Sequence, residues 1–91
     1  MTVKITKKSV QKIQDKLYNI TLNLQYLNGE TILLNQDFIQ RYRIGDNITI
    51  IINKFKTIMQ EAIDNYKIEQ TIFTAAAFDS AIISLQNSLI P

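Results

Sequence analysis

The sequence predicts an α+β fold: a long antiparallel β-hairpin over residues 18–27 and 31–43, then helices over residues 47–66 and 68–89. Three observations carry this. From Tyr18 the chain alternates, with Tyr18, Ile20, Leu22, Leu24 and Tyr26 on one face and Asn19, Thr21, Asn23 and Gln25 on the other. Asn28-Gly29 follows, the pair that suits a tight hairpin turn. Beyond Gly45-Asp46, apolar residues recur at helical spacing for about five turns. The 91 residues amount to a single domain, 1–91. With 2 Gly and 1 Pro, the chain lacks the breakers of a turn-rich sandwich and suits a few long elements.

The N-terminal segment predicts a short strand over Thr2–Thr6, with Val3 and Ile5 on one side. Ser9 then caps a short helix over residues 10–17, where Val10, Ile13 and Leu17 fall at helical spacing.

Two readings compete for residues 10–28. In the helical one, Val10, Ile13, Leu17, Ile20, Leu24 and Leu27 form a heptad seam stopped by Asn28-Gly29, and the fold is an all-α helical hairpin. In the other they include the first hairpin strand, which three observations favour. The seam leaves Tyr18, Leu22 and Tyr26 off its apolar face. It places Asn19, Thr21 and Asn23 mid-helix, where their side chains compete for backbone hydrogen bonds. The third is register. A two-residue Asn28-Gly29 loop would turn Ile32 and Leu34 to the polar face. A three-residue loop through Glu30 pairs Tyr26 with Ile32, Leu24 with Leu34 and Ile20 with Phe38, so the apolar faces coincide.

The second strand then carries Ile32, Leu34, Phe38, Tyr42 and Ile44 on one face and Asn35, Asp37, Arg41 and Arg43 on the other. Leu33 and Ile39 break the alternation and are expected to meet a partner chain. So long a strand predicts a bulge or break near Asn35–Asp37.

Asp46 is the expected N-cap of the first helix, whose apolar stripe includes Ile48, Ile51, Phe55, Met59, Ile63 and Tyr66. Ile48–Ile52 is all β-branched, which leaves a third strand open there. Residues 68–89 are helical again, with too much apolar surface for one face. One face is expected on the hairpin and one on another subunit. Leu33, Ile39, Phe73, Ala77, Phe78, Ala81 and Leu85 are therefore candidate self-association residues. The expected assembly is a homo-oligomer, most simply a two-fold dimer.

Composition narrows the chemistry. The chain has no Cys and no His, so thiolate chemistry, imidazole bases and the commonest metal ligands are absent. Two glycines cannot build a dinucleotide fingerprint or a phosphate-binding loop. Glu61 and Asp64 share a helix face and read as solvated surface. Asn19-Ile-Thr21 and Asn47-Ile-Thr49 match a glycosylation pattern too short to weigh. No catalytic residue, cofactor or metal site is expected, and the chain is read as a non-enzyme. No apolar run reaches the ~18–20 residues of a membrane helix, and Met1 opens onto no apolar signal region. The expected place of work is the cytoplasm.

The net charge of +2 implies no partner, but residues 1–17 carry Lys4, Lys7, Lys8, Lys12 and Lys16 against Asp15. Arg41 and Arg43 share one strand face. Lys4, Lys7, Lys8, Lys12, Arg41 and Arg43 are therefore the candidate contacts to nucleic acid or an acidic partner.

The length, the Val3-Lys4-Ile5-Thr6 opening, the Tyr42-Arg43-Ile44-Gly45 turn and the helical second half partly resemble the WXG100 class of small helical-hairpin proteins handled by type VII secretion. The chain departs from that class in having no Trp-x-Gly and no Tyr/Phe-x-x-x-Asp/Glu in its last helix. A hairpin followed by long helices is also similar in size and style to small proteins of phages and mobile elements. The functional expectation is a structural, assembly or adaptor protein acting through self-association, of phage or mobile-element type. A small nucleic-acid-binding regulator and a secretion partner of the helical-hairpin type are the alternatives.

Overall fold

The computed structural model describes residues 1–90. Its elements are β1 (Thr2–Gln14), β2 (Leu17–Asn28), β3 (Thr31–Arg43), α1 (Ile48–Phe73) and α2 (Ala76–Ser88). The strands form one antiparallel sheet in the order β1-β2-β3. The α+β expectation holds. The all-α alternative, and with it the helical-hairpin resemblance, fails because residues 2–14, 17–28 and 31–43 are strands.

The short helix expected over residues 10–17 is instead the second half of β1. Ile5 pairs with Leu24 and Val10 with Ile20, with register shifts between Lys7 and Ser9 and between Lys12 and Gln14. Each shift inserts one unpaired residue, Lys8 and Ile13, into β1. The insertions move the side-chain alternation out of phase, so Val10 and Ile13 acquire helix-like spacing on a strand. Asp15-Lys16 closes this hairpin, with Lys16 left-handed at φ 61. The Ile44 amide donates to the Lys16 carbonyl over 2.8 Å, anchoring the end of β3 to this turn.

The β2–β3 hairpin keeps the expected face and changes the register. Asn28 pairs with Thr31, so the loop is Gly29-Glu30, with Gly29 at φ 61 in the first loop position. A register shift follows between Tyr26 and Leu27. From there Tyr26 faces Leu34, Leu22 faces Phe38 and Tyr18 faces Tyr42. The expected pairs Tyr26–Ile32, Leu24–Leu34 and Ile20–Phe38 are thus displaced by two residues along β3. The bulge lies at Leu33 rather than near Asn35–Asp37. A two-residue loop alone would have put Leu34 on the wrong face; the inserted Leu33 restores the match. Ile32 consequently falls on the other face, half exposed.

α1 packs its Ile51, Phe55, Met59 and Ile63 row on the sheet face carrying Leu24 and Tyr26. A step of four residues places these side chains on one helix face. Leu24 is fully buried, and no polar or charged side chain is buried among the described residues. Tyr26 and Tyr66 meet edge to face, with ring centroids 5.9 Å apart. Ile48–Ile52 is helical, not a third strand. Asn47, not Asp46, caps the helix: its Oδ1 accepts from the Thr49 amide at 2.9 Å. Asp46 instead turns back, its carboxylate accepting from the Arg43 amide at 3.2 Å.

The helix break expected after Tyr66 does not occur. α1 runs on to Phe73, because nothing between Tyr66 and Ile68 disfavours helix. It stops at Thr74, whose amide and hydroxyl both donate to the Gln70 carbonyl, and Ala75 is extended. The last two turns of α1 therefore pass beyond Tyr66 and carry α2 away from the core. The expectation that residues 68–89 pack one face on the hairpin is overturned: α2 has no buried residue. The molecule is correspondingly long, 63 × 30 × 20 Å.

Candidate functional site

The register sorts the candidate residues by face, since successive side chains on a strand point to opposite sides. Lys4 pairs with Gln25, Arg41 with Asn19 and Arg43 with Leu17, which places them on the open face of the sheet. Lys7 pairs with Leu22 and Lys12 with Tyr18, on the face that α1 partly covers. Lys8, at the bulge, forms an ion pair on the open face with Asp37. The basic residues are thus divided between two faces.

The open face is centred on a polar cluster. The Asn23 amide donates to Asn35 Oδ1 at 2.7 Å and to Asp37 Oδ1 at 2.9 Å, and the Lys8 ammonium reaches Asp37 Oδ2. The Lys8 hydrogen bond, then that of Asn23, lowers the Asp37 pKa below its usual carboxylate value. This arrangement positions charge across three strands. Elsewhere the Gln60 amide donates to Asp64 Oδ1 at 3.0 Å, along the exposed side of α1. Among the described residues, no three His, Cys, Asp or Glu side chains gather as a metal site would require.

The larger features are apolar. α1 lies against β3 and over Leu24 and Tyr26, leaving the inner side of β1 open. Between β1 and α1 runs a groove of about 350 Å³, walled by Val3, Ile5, Leu24, Ile52, Met59 and Ile63. It continues past Lys7 toward Ile20, Tyr42 and Ile48. Val3, Ile5 and Ile52 are each about half exposed there. Sequence reasoning missed this groove, because it read residues 10–17 as helix and β1 as a short strand.

The second apolar feature is the arm formed by the end of α1 and by α2. Phe73 is 78% exposed, and Ile68, Ile72, Phe78, Ile82, Ile83, Leu85 and Leu89 are each more than half exposed. Ala77 and Ala81 are exposed beside them. Phe78, Ile82 and Leu85 step along α2 by four and three residues, which places them on one helix face. Ile72, Phe78 and Ile82 line the concave elbow between the two helices. Of the candidate self-association residues, Phe73, Ala77, Phe78, Ala81 and Leu85 lie on this arm. Ile39 is exposed on the open sheet face, and Leu33 is half-buried against the core. No described helix is long and apolar enough to cross a membrane.

No protein-family model, curated protein or solved structure matches the chain.

Proposed function

We propose that this protein is a non-enzymatic assembly subunit or adaptor that works in the cytoplasm by self-association. The observation that supports it is the arm: large apolar side chains exposed from Ile68 to Leu89, with no residue of α2 buried. Soluble monomers rarely expose contiguous apolar patches beyond a few hundred Å², and larger ones mark interaction surfaces. The clustering of these residues on one projecting element, away from the core, supports an interface rather than scattered surface apolarity.

Nucleic-acid binding ranks second. Lys4, Arg41 and Arg43 share the open face, but Lys7 and Lys12 lie on the other face and Lys8 is engaged by Asp37. Light scattering at micromolar concentration tests the assembly reading. A mass of two or more chains is expected, and a stable monomer would overturn it. Duplex DNA or RNA titration at low salt tests the second reading, which predicts binding that weakens steeply as salt rises.

A further inference from the structure

Resting on that reading, we infer that the groove between β1 and α1 is the seat for α2 of a second copy of this chain. The sheet spans three strands at ~4.8 Å each, and one helix ~10 Å across cannot cover it. α1 sits toward β3, so the inner side of β1 is left as an apolar slot with Val3, Ile5 and Ile52 half exposed. The same chain carries an uncovered apolar helix.

Length and charge both match. The α1 wall of the groove, from Ile48 to Ile63, spans ~22 Å of helix, and the 13 residues of α2 make a helix of ~20 Å. The groove is flanked by Lys7 and Lys56, while α2 carries Asp79 and no cation.

The chain's own α2 does not fit this seat. Val3 is level with Tyr26, which packs on Tyr66. From Tyr66 to Thr74, α1 runs ~12 Å past that level. A back-folded α2 would spend more than half its length beside the arm. It would cover only the Val3 end of the groove and leave the stretch at Lys7 and Ile48 open. A second copy has no such tether and can lay α2 along the whole slot. Reciprocal exchange makes the contact two-fold, with each chain supplying one helix and one groove.

The native chain has no Cys, so disulfide trapping reads the contact directly. Single-substitution chains Ile5→Cys and Ile82→Cys are mixed and oxidised, and a linked species containing one of each is expected. Ile5→Glu, at an exposed position, is expected to weaken dimerisation more than tenfold while circular dichroism stays unchanged. A dimer that links only through position 82 to position 82 would overturn the groove seat and leave self-association standing. A double variant that links within one chain would place α2 in its own groove and overturn the inference. A monomer in light scattering would remove both this inference and the reading beneath it.

Discussion

Lys8 and Asp37 join the two outer strands of the sheet across the middle one. Lys8 is the residue inserted at the first bulge of β1, and Asp37 lies opposite Asn23 on β3. The Lys8 ammonium binds Asp37 Oδ2 while the Asn23 amide binds Oδ1, so one carboxylate receives a side chain from each of the other two strands. The bulge that disrupts the pairing of β1 is thereby tied down by its own inserted side chain.

This clamp makes stability pH-dependent in a definite direction. The Lys8 hydrogen bond, followed by that of Asn23, holds Asp37 below its unfolded value. The stabilisation is therefore fully present above the unfolded carboxylate pKa of about 3.9 and is lost as pH falls through the folded value. Lys8→Met should lower the denaturation midpoint at pH 6, and the gap from the native chain should close toward pH 2. High salt should narrow the gap at pH 6 as well, because the pair is exposed. A gap that persists unchanged at pH 2 would assign the effect to something other than the ion pair.

The core and the arm should respond differently to truncation. Leu24→Ala removes a fully buried side chain and should cost about 2–5 kcal/mol, a large part of a domain's ~5–15 kcal/mol. Ile83→Ala, on an exposed face of α2 away from the Phe78–Leu85 row, should change stability by less than ~0.5 kcal/mol. Urea denaturation of the two variants at equal protein concentration checks this contrast.

The two hairpin turns should answer glycine chemistry in opposite ways. Gly29 has φ 61 and open space around its Cβ position. Gly29→Ala should therefore destabilise by about 1 kcal/mol through backbone strain alone. Lys16 bears the same left-handed φ of 61 with a side chain, so Lys16→Gly should stabilise by a few tenths to about 1 kcal/mol. Thermal melts of both variants read the signs directly.

Helix entry gives a third contrast. Asn47→Ala removes the side-chain cap on the Thr49 amide and should cost about 1 kcal/mol. Asp46→Ala removes a single exposed hydrogen bond to the Arg43 amide and should cost less. Equal losses in denaturant titrations would show that Asp46 also serves the helix.

The period-two alternation of Tyr18 to Tyr26 determined which side of the sheet is apolar, and the stripe from Ile51 to Ile63 determined α1 and the face it buries. Both are local patterns of side-chain direction, so one chain segment carries them whole. What the tertiary structure alone decided depends on partners. The bulges at Lys8, Ile13 and Leu33 exist only relative to a paired strand. Those at Lys8 and Ile13 gave β1 a helix-like spacing, and the one at Leu33, together with the Gly29-Glu30 loop, moved the hairpin register by two. The stop at Thr74 uses neither Gly nor Pro, only the Thr74 amide and hydroxyl returned to the Gln70 carbonyl. The excess apolar surface of residues 68–89 was legible in composition. Its location beyond the sheet was not, because it follows from α1 continuing past Tyr66, the last aromatic anchor the sheet provides.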